Sequence, residues 1–424
     1  MTSLYRIVWR WHFYAGLIVL PVLAWLAVTG GLYLYKPEIE RVVYREWLAR
    51  PSSRAMLPTD RIIAVVEDAT RARVNQIAIP TDRSESWRLT IEDGSGRHTA
   101  FVDPGTGQVL GVSAREGGVM KLDRDLHSLV ITGPVGNALI EIVAGWAIIL
   151  VLTGLYLWWP RSGMPALALR GAPPNRLFWR DLHASGGALV GAVILFLAVT
   201  GMPWSVFWGK QVQATVAAQG LGRPKAPGPQ PWEHSAHDRA GLPWALQAAS
   251  EPHAHGMGNV GADRILAIAA SRGLGAPLTL TRPMAMGAPY IVAATVDRSE
   301  DAHVLYVEPA TGRVLQDARH ADFGAGAKAI EWGIAVHQGQ EYGEANCLVM
   351  LAGCVGALLL SLTAPVLWWK RRFAPPPASD DPSRTRGVAV IMLAIGAFYP
   401  LTGATMVAAL VGDKLWARYV RAAA

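Results

Sequence analysis

The chain has 424 residues, of which 51% are hydrophobic, and a formal net charge of +7 at pH 7. The apolar residues are concentrated in five runs of about the 20 residues that a helix needs to cross a bilayer, which excludes a single soluble core. The basic residues cluster in short loops beside these runs, so the net charge predicts no nucleic-acid partner. The runs are approximately 13–35, 137–159, 184–208, 345–369 and 387–411.

In chain order, these runs alternate with polar stretches of domain size. The first run is about twice as long as the apolar region of a typical signal peptide, so we expect a retained helix. The predicted segments are an N-terminal stub and first helix (1–36), a first outer domain (37–126), a second helix (127–160), a loop (161–182), a third helix (183–209), a second outer domain (210–336) with a His-, Pro- and Gly-rich insert (219–259), a fourth helix (337–370), a loop (371–386), a fifth helix (387–411) and a C-terminal tail (412–424).

The short loops predict the orientation of the chain. Excess Lys and Arg occur in 160–180, in 370–386 and in the N-terminal stub, all on one side of the membrane if five helices span it. Because an excess of Lys and Arg in short loops marks the cytoplasmic side, we expect the N-terminus and both basic loops in the cytoplasm. Both large domains then lie outside, in the periplasm of a Gram-negative cell.

The first and third runs are copies of one pattern. The sequence Leu-Ala-Val-Thr-Gly occurs at 26–30 and again at 197–201. In each copy the threonine follows a histidine, His12 or His183, by 17 residues. Such self-similarity indicates an internal duplication.

The second and fourth runs and the outer domains repeat in the same way. His127 and His337 each precede a threonine by 26 residues and a Trp-Trp pair by 31 and 32 residues. Residues 98–110 resemble residues 303–315, and both predict a β-hairpin with a Pro-containing turn. The repeating unit is therefore helix, α+β module, helix, and only the fifth run has no partner.

Four histidines occupy equivalent positions in the two units. By topology, His12 and His183 lie near the cytoplasmic face, whereas His127 and His337 lie near the outer face. Neutral imidazole is a good axial ligand of haem iron, and ionisable side chains in a membrane are usually functional. The pattern predicts two haem sites at two depths, with pairing inside one unit as the other possibility.

Two arginines near these histidines are candidate partners of haem propionates. Arg10 and Arg180 precede His12 and His183 by two and three residues. Small residues nearby, Gly16 and Gly186-Gly187, leave room for a flat cofactor. Two other interpretations stay open: duplication copied structural histidines, or each pair binds zinc or copper, although the further ligands of a closed metal site are not evident.

The sequence resembles the PepSY-associated transmembrane family over nearly its whole length. The motifs that carry the resemblance are WHFYAGL (11–17), DLHASGG (181–187), the two LAVTG segments, VDPGTGQVL (102–110), VEPATGRVL (307–315), Leu126-His127 and WWPR (158–161). The resemblance implies a membrane α-helical bundle of about five transmembrane helices, built from the duplicated unit, with two extracytoplasmic α+β PepSY-like domains. It also implies a bacterial inner-membrane location.

The family includes iron-regulated membrane proteins and ferric-siderophore reductases with two b-type haems. The resemblance implies that His12, His127, His183 and His337 ligate two haems b. It further implies an oxidoreductase that reduces a ferric siderophore or another metal complex outside. No nucleotide-binding Gly-rich motif is present, so we expect the donor to be a quinol, a reduced flavin or a separate reductase.

Other features leave alternatives open. His253, His255 and Met257 in the insert form a possible weak site for copper or a ferric chelate, or belong to a flexible loop without a ligand. Glu141 either relays a proton or hydrogen-bonds a neighbouring helix. The alternative functions are a non-enzymatic PepSY membrane protein that binds peptides or restrains a periplasmic peptidase, and a siderophore-transport accessory.

Overall fold

The computed structural model describes residues 3–48, 55–159, 167–219, 242–247, 252–372, 390 and 394–423. It consists of a helical bundle with an antiparallel sheet at one end. In chain order the helices are α1 (Ser3–Tyr33), α2 (Lys36–Val43), α3 (Arg45–Leu48), α4 (Thr59–Thr70), α5 (Gly118–His127), α6 (Gly133–Trp158), α7 (Arg176–Gly201), α8 (Trp208–Ala218), α9 (Trp244–Gln247), α10 (Ala262–Ser271), α11 (Ala325–His337), α12 (Gly343–Trp369) and α13 (Pro400–Ala423).

Within these described ranges, four helices are long and apolar enough to span a membrane: α1, α6, α7 and α12. The fifth predicted run, 387–411, lies partly outside the described residues. Its described parts, 394–398 and the start of α13, are helical. The chain is thus a membrane protein with at least four candidate spans.

The four spans form a closed ring in which α1 contacts α6, α6 contacts α7, α7 contacts α12 and α12 contacts α1. Glycines permit the closest approach. A Cβ atom on Gly353 of α12 would lie 2.6 Å from Val193 of α7, and one on Gly356 would lie 2.5 Å from Val190. Small residues at such crossings let helix backbones approach in the membrane, where packing drives helix association.

The two modules each contribute four strands to one eight-stranded antiparallel sheet. The strands are β1 (Arg73–Ile79), β2 (Trp87–Asp93), β3 (Gly96–Val102), β4 (Val109–Ser113), β5 (Leu278–Thr281), β6 (Tyr290–Ala294), β7 (His303–Val307) and β8 (Val314–Arg319). Their spatial order is β4-β3-β2-β1-β5-β6-β7-β8. The two predicted hairpins are present as β3–β4 and β7–β8, at opposite ends of this order.

The modules join through β1 and β5, which pair antiparallel from Gln76↔Thr281 to Ile79↔Leu278. The sequence pattern predicts two separate domains and gives no sign of this junction. Helices α4 and α10 contribute to the same hydrophobic core, through side chains such as Ile62 and Ile265. Each domain is therefore completed by the other, across an interface that includes hydrogen-bonded strands and a shared core.

The N-termini of α4 and α10 cap each other. The carboxylate of Asp263 accepts the backbone N–H groups of Thr59 (2.6 Å) and Asp60 (3.2 Å). The carboxylate of Asp60 accepts those of Ala262 (2.7 Å) and Asp263 (3.1 Å). Since the first N–H groups of a helix have no partner within it, this exchange satisfies two helix ends at once.

Short helices precede two of the spans. Helix α5 ends at His127, and the left-handed residue Leu129 (φ 50°) separates it from α6. Helix α11 ends at His337, and Gly339 (φ 75°) separates it from α12. The second and fourth spans therefore begin later than the predicted 127 and 337, because left-handed backbone ends a helix. Each of these histidines is carried on a separate element that packs against α1 or α7.

Candidate functional site

The bundle has two ends, which we name from the elements there. The sheet end leads into the eight-stranded sheet, and the loop end includes residues 167–175 and 370–372. Near the loop end, the rings of His12 on α1 and His183 on α7 face each other with centroids 6.4 Å apart and planes at 86°. The two histidines that the sequence pattern predicts at this depth are thus brought together.

Each of these two histidine rings forms a hydrogen bond with a threonine on a different span. The Nδ1 atom of His12 lies 2.9 Å from Oγ1 of Thr153 on α6. The Nδ1 atom of His183 lies 2.8 Å from Oγ1 of Thr363 on α12. Each contact joins the two spans of one repeat unit, so the internal duplication is visible as two equivalent hydrogen bonds.

Histidine–threonine hydrogen bonds of the same kind occur at the sheet end. The Nδ1 atom of His127 lies 2.8 Å from Oγ1 of Thr29 on α1, and that of His337 lies 2.8 Å from Oγ1 of Thr200 on α7. Burial lowers the pKa of His127 to about 4. Burial, and secondly the charge of His127, lower the pKa of His337 to about 3. Both imidazoles are therefore neutral near pH 7.

The hydrogen bonds of the four threonines fix the tautomer of the four histidines. Each threonine hydroxyl donates its single hydrogen to the backbone carbonyl four residues earlier, at 2.7 to 2.9 Å. The threonine oxygen must then accept from the imidazole, so Nδ1 carries the proton. In a neutral ring this leaves the lone pair on Nε2, the state in which histidine ligates a metal.

Glycines that follow the threonines make room for the rings. A Cβ atom on Gly154 would lie 3.2 Å from Cε1 of His12, and one on Gly30 would lie 3.1 Å from Cε1 of His127. Both distances are tighter than ordinary contact, so a larger residue would displace the imidazole. In each Thr-Gly pair, the threonine hydroxyl orients the imidazole of one histidine, and the glycine leaves space for that ring.

A cavity of about 590 Å³ contains the His12–His183 pair. Its volume is within the range of about 300–1,000 Å³ that is usual for cofactor pockets. Of the residues that the sequence predicts beside a cofactor, Gly16, Gly187 and the propionate candidate Arg180 line this cavity, whereas Gly186 is not among its described lining residues. Among the described lining residues Arg10 is not present; its guanidinium lies 5.7 Å from the centre of the Tyr14 ring.

Three further arginines, which the sequence pattern did not indicate as site residues, line the cavity. They are Arg170 and Arg176 from the first basic loop and the start of α7, and Arg371 from the second. In the sequence, these basic loops indicate only the orientation of the chain. The sequence separates these residues by up to 201 positions, so no local spacing indicated that they converge.

The possible weak site in the insert has a different arrangement. The rings of His253 and His255 stack in parallel at 4.4 Å, and Met257 is 98% exposed. The backbone N–H of His255 donates to the carboxylate of Glu308 (3.1 Å). Throughout the described residues, no group of three or more His, Cys, Asp or Glu side chains forms a metal-binding cluster. Much of the insert, 220–241 and 248–251, lies outside the described residues.

Two buried carboxylates hold short helices of this region, α8 directly before the insert and α9 within it. Oε2 of Glu141 on α6 accepts the backbone N–H groups of Phe207 (2.9 Å) and Trp208 (3.2 Å) before and at the start of α8. Oε1 of Glu331 on α11 accepts the N–H of Ala245 (2.7 Å) in α9. Glu141 thus makes the inter-element hydrogen bond that was one of its two expected roles.

Comparison with known proteins places the chain in a family. No curated protein matches it. The family model described as the PepSY-associated TM region matches residues 9–371, which include all four histidines and their four threonines. The chain therefore belongs to the PepSY-associated transmembrane family.

Proposed function

We propose that this protein is an inner-membrane di-haem b-type reductase that moves electrons across the membrane to a ferric complex outside, specifically a ferric siderophore during iron acquisition. The observation that carries the proposal is the set of four partly buried histidines, each with Nδ1 in contact with a threonine hydroxyl, at two levels of the bundle. Because the histidines occupy equivalent positions in the two repeat units, we infer that both units use them for the same function.

The residues at the loop end fit a haem. Metal–imidazole bonds are about 2 Å long, so the 6.4 Å between the ring centroids of His12 and His183 accommodates one metal ion between them. The cavity around the pair has space for a macrocycle, and much of its lining is apolar. Two neutral imidazoles without a carboxylate or thiolate ligand suit haem iron better than a closed zinc site.

The two levels are far enough apart to connect the faces of a membrane. Helix α1 contributes His12 at one level and Thr29 at the other, 17 residues later. At 1.5 Å per residue, this separation is about 25 Å along the helix. The hydrocarbon core of a bilayer is about 30 Å thick. Two centres at these levels would together cover most of that distance.

When bound at each level, haem b supplies one-electron transfer, which needs little acid–base machinery from the protein. The chain's own residues do three things. The threonines orient the imidazoles and keep Nε2 unprotonated, the apolar side chains of the cavity exclude water, and the helices fix the distance between levels. These roles account for the chemistry without a nucleophile–base pair.

The sheet end is suited to reaching an external acceptor. The Trp204 ring contacts the His337 ring edge-on, with centroids 6.3 Å apart, and Trp204 is 38% exposed. Nearby on α11, Trp332 is 40% exposed and donates from Nε1 to the hydroxyl of Tyr342 (2.8 Å). Because Trp204 contacts the His337 ring and is itself partly exposed, an acceptor docked beside Trp204 would lie close to the sheet-end pair.

The orientation and the electron donor are part of the same proposal. The basic residues at the loop end favour the cytoplasm for that end, which puts the sheet in the periplasm. Electrons would enter at the His12–His183 level from a quinol, a reduced flavin or a separate reductase. They would leave at the His127–His337 level.

The proposal is tested with purified full-length protein in two steps. A pyridine haemochrome assay should give two haems b per chain, and less than half a haem per chain would contradict it. In proteoliposomes supplied with a reductant inside, a ferric siderophore and an Fe(II) chelator outside should yield the coloured Fe(II) complex. If haem-loaded protein gives no more Fe(II) than empty liposomes, the proposed reductase activity is contradicted, whereas the proposed haem sites are not.

A further inference from the structure

The fifth apolar run changes direction at the bond between Tyr399 and Pro400. The N–H of Tyr399 donates to the carbonyl of Ile395 (2.8 Å), which closes the last turn of a helical segment over 394–398. The carbonyl of Tyr399 accepts the N–H of Gly403 (2.8 Å), which opens α13. Proline is favoured at the first position of a helix, because its missing N–H would have no partner there. The described part of the run is thus two helices that meet at Tyr399.

Two glycines show how sharply the run bends. A Cβ atom on Gly403 would lie 2.5 Å from Cα of Gly396, and one on Gly396 would lie 2.7 Å from Cα of Gly403. In a straight helix, residues seven apart are separated by about 10 Å along the axis. The bond between Tyr399 and Pro400 is the midpoint of this pair, so the two arms fold back on each other as a helical hairpin. Small residues permit such close approach of backbones in a membrane.

Contacts with α6 give the depth and the direction of α13. The buried hydroxyl of Thr402 donates to the carbonyl of Ile142 (3.4 Å). One turn later, Oγ1 of Thr405 accepts from Nε1 of Trp146 (2.9 Å). Since α6 runs from the sheet end to the loop end and both contacts lie near its middle, α13 begins at about half depth and leads toward the loop end.

The tip of the hairpin is held from the sheet end. The carbonyl of Phe398 accepts from Nε1 of Trp208 (2.8 Å), and the rings of Trp208 and Tyr399 stack with centroids 5.8 Å apart. The backbone N–H of Trp208 donates in turn to the carboxylate of Glu141 on α6 (3.2 Å). Backbone that leaves the helix at membrane depth needs such protein partners, because lipid offers none. The turn is therefore built into the bundle.

The length of the apolar part of α13 agrees with a half-span. At 1.5 Å per residue, the stretch from Pro400 to Val411 rises about 18 Å, little more than half of the roughly 30 Å hydrocarbon core. Within the described residues, α13 is not among the helices long and apolar enough to cross a membrane. The sequence after Val411 has one acidic and three basic residues, Asp413, Lys414, Arg418 and Arg421. In a five-span chain this basic tail would lie outside, against the preference of Lys and Arg for the cytoplasmic side.

We propose that the fifth apolar run is a re-entrant hairpin, which enters from the loop end, turns at Tyr399 and Pro400 inside the bundle, and returns to the loop end. It takes the place of the single span that the apolar pattern predicts over 387–411. Both termini of the chain then lie on one side of the membrane, and the basic tail joins the N-terminal stub and the two basic loops. Under the proposed function, this is the face at which the electron donor arrives.

Cysteine labelling of the full-length protein tests the hairpin. In intact spheroplasts and after lysis, a membrane-impermeant maleimide is applied to Gly412→Cys, a position with no described atom within 4 Å of an added side chain. This variant should react like Leu167→Cys at the loop end, and unsubstituted protein gives the background of Cys347 and Cys354. Reaction like that of Met286→Cys at the sheet end would overturn the hairpin. The comparison holds whichever way the protein is oriented and whether or not haem is bound.

Fusions to the full-length chain give the same answer without a maleimide. Green fluorescent protein, which fluoresces only in the cytoplasm, and alkaline phosphatase, which is active only outside it, are each attached to the N-terminus and to the C-terminus. The two termini should report the same side of the membrane. Opposite reports from the two termini would overturn the proposal, because they require an odd number of spans.

The turn itself is tested by Gly403→Leu, with Gly412→Leu as the matched control. The two substitutions share the gain in helix propensity, since both replace glycine by leucine in α13. A side chain at 403 has no room against Gly396, so Gly403→Leu should lower the melting temperature by about 2 °C or more. Gly412→Leu should not lower it. Equal melting temperatures of the two variants would show that the arms do not touch, and the hairpin would be overturned.

Discussion

At the scale of single residues, the site depends on which imidazole nitrogen carries the proton. The threonine hydroxyls are committed to the backbone of their own helices, so each accepts from a histidine. Outer contacts of this kind set the orientation and basicity of metal-ligating histidines. Under the proposed function the threonines are positioning residues, which would act on a metal only through His12, His127, His183 and His337.

Thr153→Val should weaken the loop-end site because the Nδ1–H of His12 loses its acceptor. Removal of such an outer partner typically costs about 10–100-fold in metal affinity. The measurement is haem affinity by Soret titration, together with the midpoint potential of the loop-end centre.

Two variants make this result specific. Thr153→Ser keeps the hydroxyl and should restore both the affinity and the potential. Thr215→Val removes an exposed threonine that also donates to the carbonyl four residues earlier but contacts no histidine, and it should change neither. A Thr153→Val protein with wild-type affinity and potential would show that the hydrogen bond does not matter.

The four histidines could be predicted from sequence as a set, whereas the further arginines that line the loop-end cavity could not. The constant spacings of 17 and 26 residues mark the histidines and threonines as a repeated set, but by spacing His12 belongs with Thr29. The structure exchanges the partners, because His12 contacts Thr153 and His127 contacts Thr29.

Arg176 and Arg371 have no such repeat, and both line the loop-end cavity because α7 and α12 are neighbours in the ring. Because Arg10 lies two residues before His12, the sequence suggested it as a partner of a haem propionate. In the structure its guanidinium lies over the Tyr14 ring instead.

At the scale of elements, buried carboxylates attach short helices to the sheet end of the bundle. Glu331 on α11 is 7% exposed and accepts the N–H of Ala245 at the start of α9. Burial raises the pKa of Glu331 to about 7, against an ordinary value of 4.5. The folded protein therefore holds a proton on Glu331 at pH values where the unfolded chain has released it.

Because the pKa of Glu331 is higher in the folded than in the unfolded state, the free energy of unfolding should fall as pH rises from about 4.5 to about 7. Above about pH 7 the contribution of Glu331 should not change further. Each unit of pKa difference corresponds to about 1.4 kcal/mol. Glu331→Gln keeps an oxygen acceptor but cannot ionise. Thermal melts at pH 5 and pH 8 should show a smaller loss of stability for the variant than for wild type. Identical pH dependence in the two proteins would contradict the buried, protonated carboxyl.

The reciprocal caps of α4 and α10 predict a second effect on stability. Asp60→Ala removes the cap of α10, and Asp263→Ala removes the cap of α4. Loss of a helix cap costs about 1 kcal/mol, so each variant should lower the melting temperature. Asp68→Ala, which removes only an exposed pair with Arg71, should have little effect. Equal melting temperatures for all three variants would show that the caps do not stabilise the junction.

The repeated sequence Asp-Arg-Ile at 60–62 and 263–265 was a signal for this contact. It marks the same position at the start of two equivalent helices. The sequence alone does not say that two such aspartates face each other, because the exchange requires the modules to be related by an approximate twofold axis. The repeat therefore marks equivalent positions, and tertiary packing decides the caps.

At the scale of the whole molecule, the two modules form one sheet above a ring of four spans. The two hairpins and the apolar spans were predictable because they are encoded by local patterns. The β1–β5 pairing joins residues about 200 positions apart, and nothing in either strand specifies the other. The same limit applies to the short helices α5 and α11, since left-handed residues rather than a change in hydropathy separate them from the spans.

The proposed orientation predicts which side of the membrane each end faces. Met286, between β5 and β6, is 93% exposed, and Leu167, at the loop end, is 61% exposed. In spheroplasts, Met286→Cys should react with a membrane-impermeant maleimide, whereas Leu167→Cys should react only after lysis. Unsubstituted protein, which retains Cys347 and Cys354, gives the background. The opposite labelling pattern would place the sheet in the cytoplasm.

The central claim is that His12 and His183 hold one haem and that His127 and His337 hold the other. The direct measurement is the haem content and the low-temperature absorption spectrum of four full-length variants, each with one of these histidines replaced by alanine. His12→Ala and His183→Ala should lose or alter the same centre, and His127→Ala and His337→Ala should lose or alter the second. Four variants that all retain the complete wild-type spectrum would contradict the account.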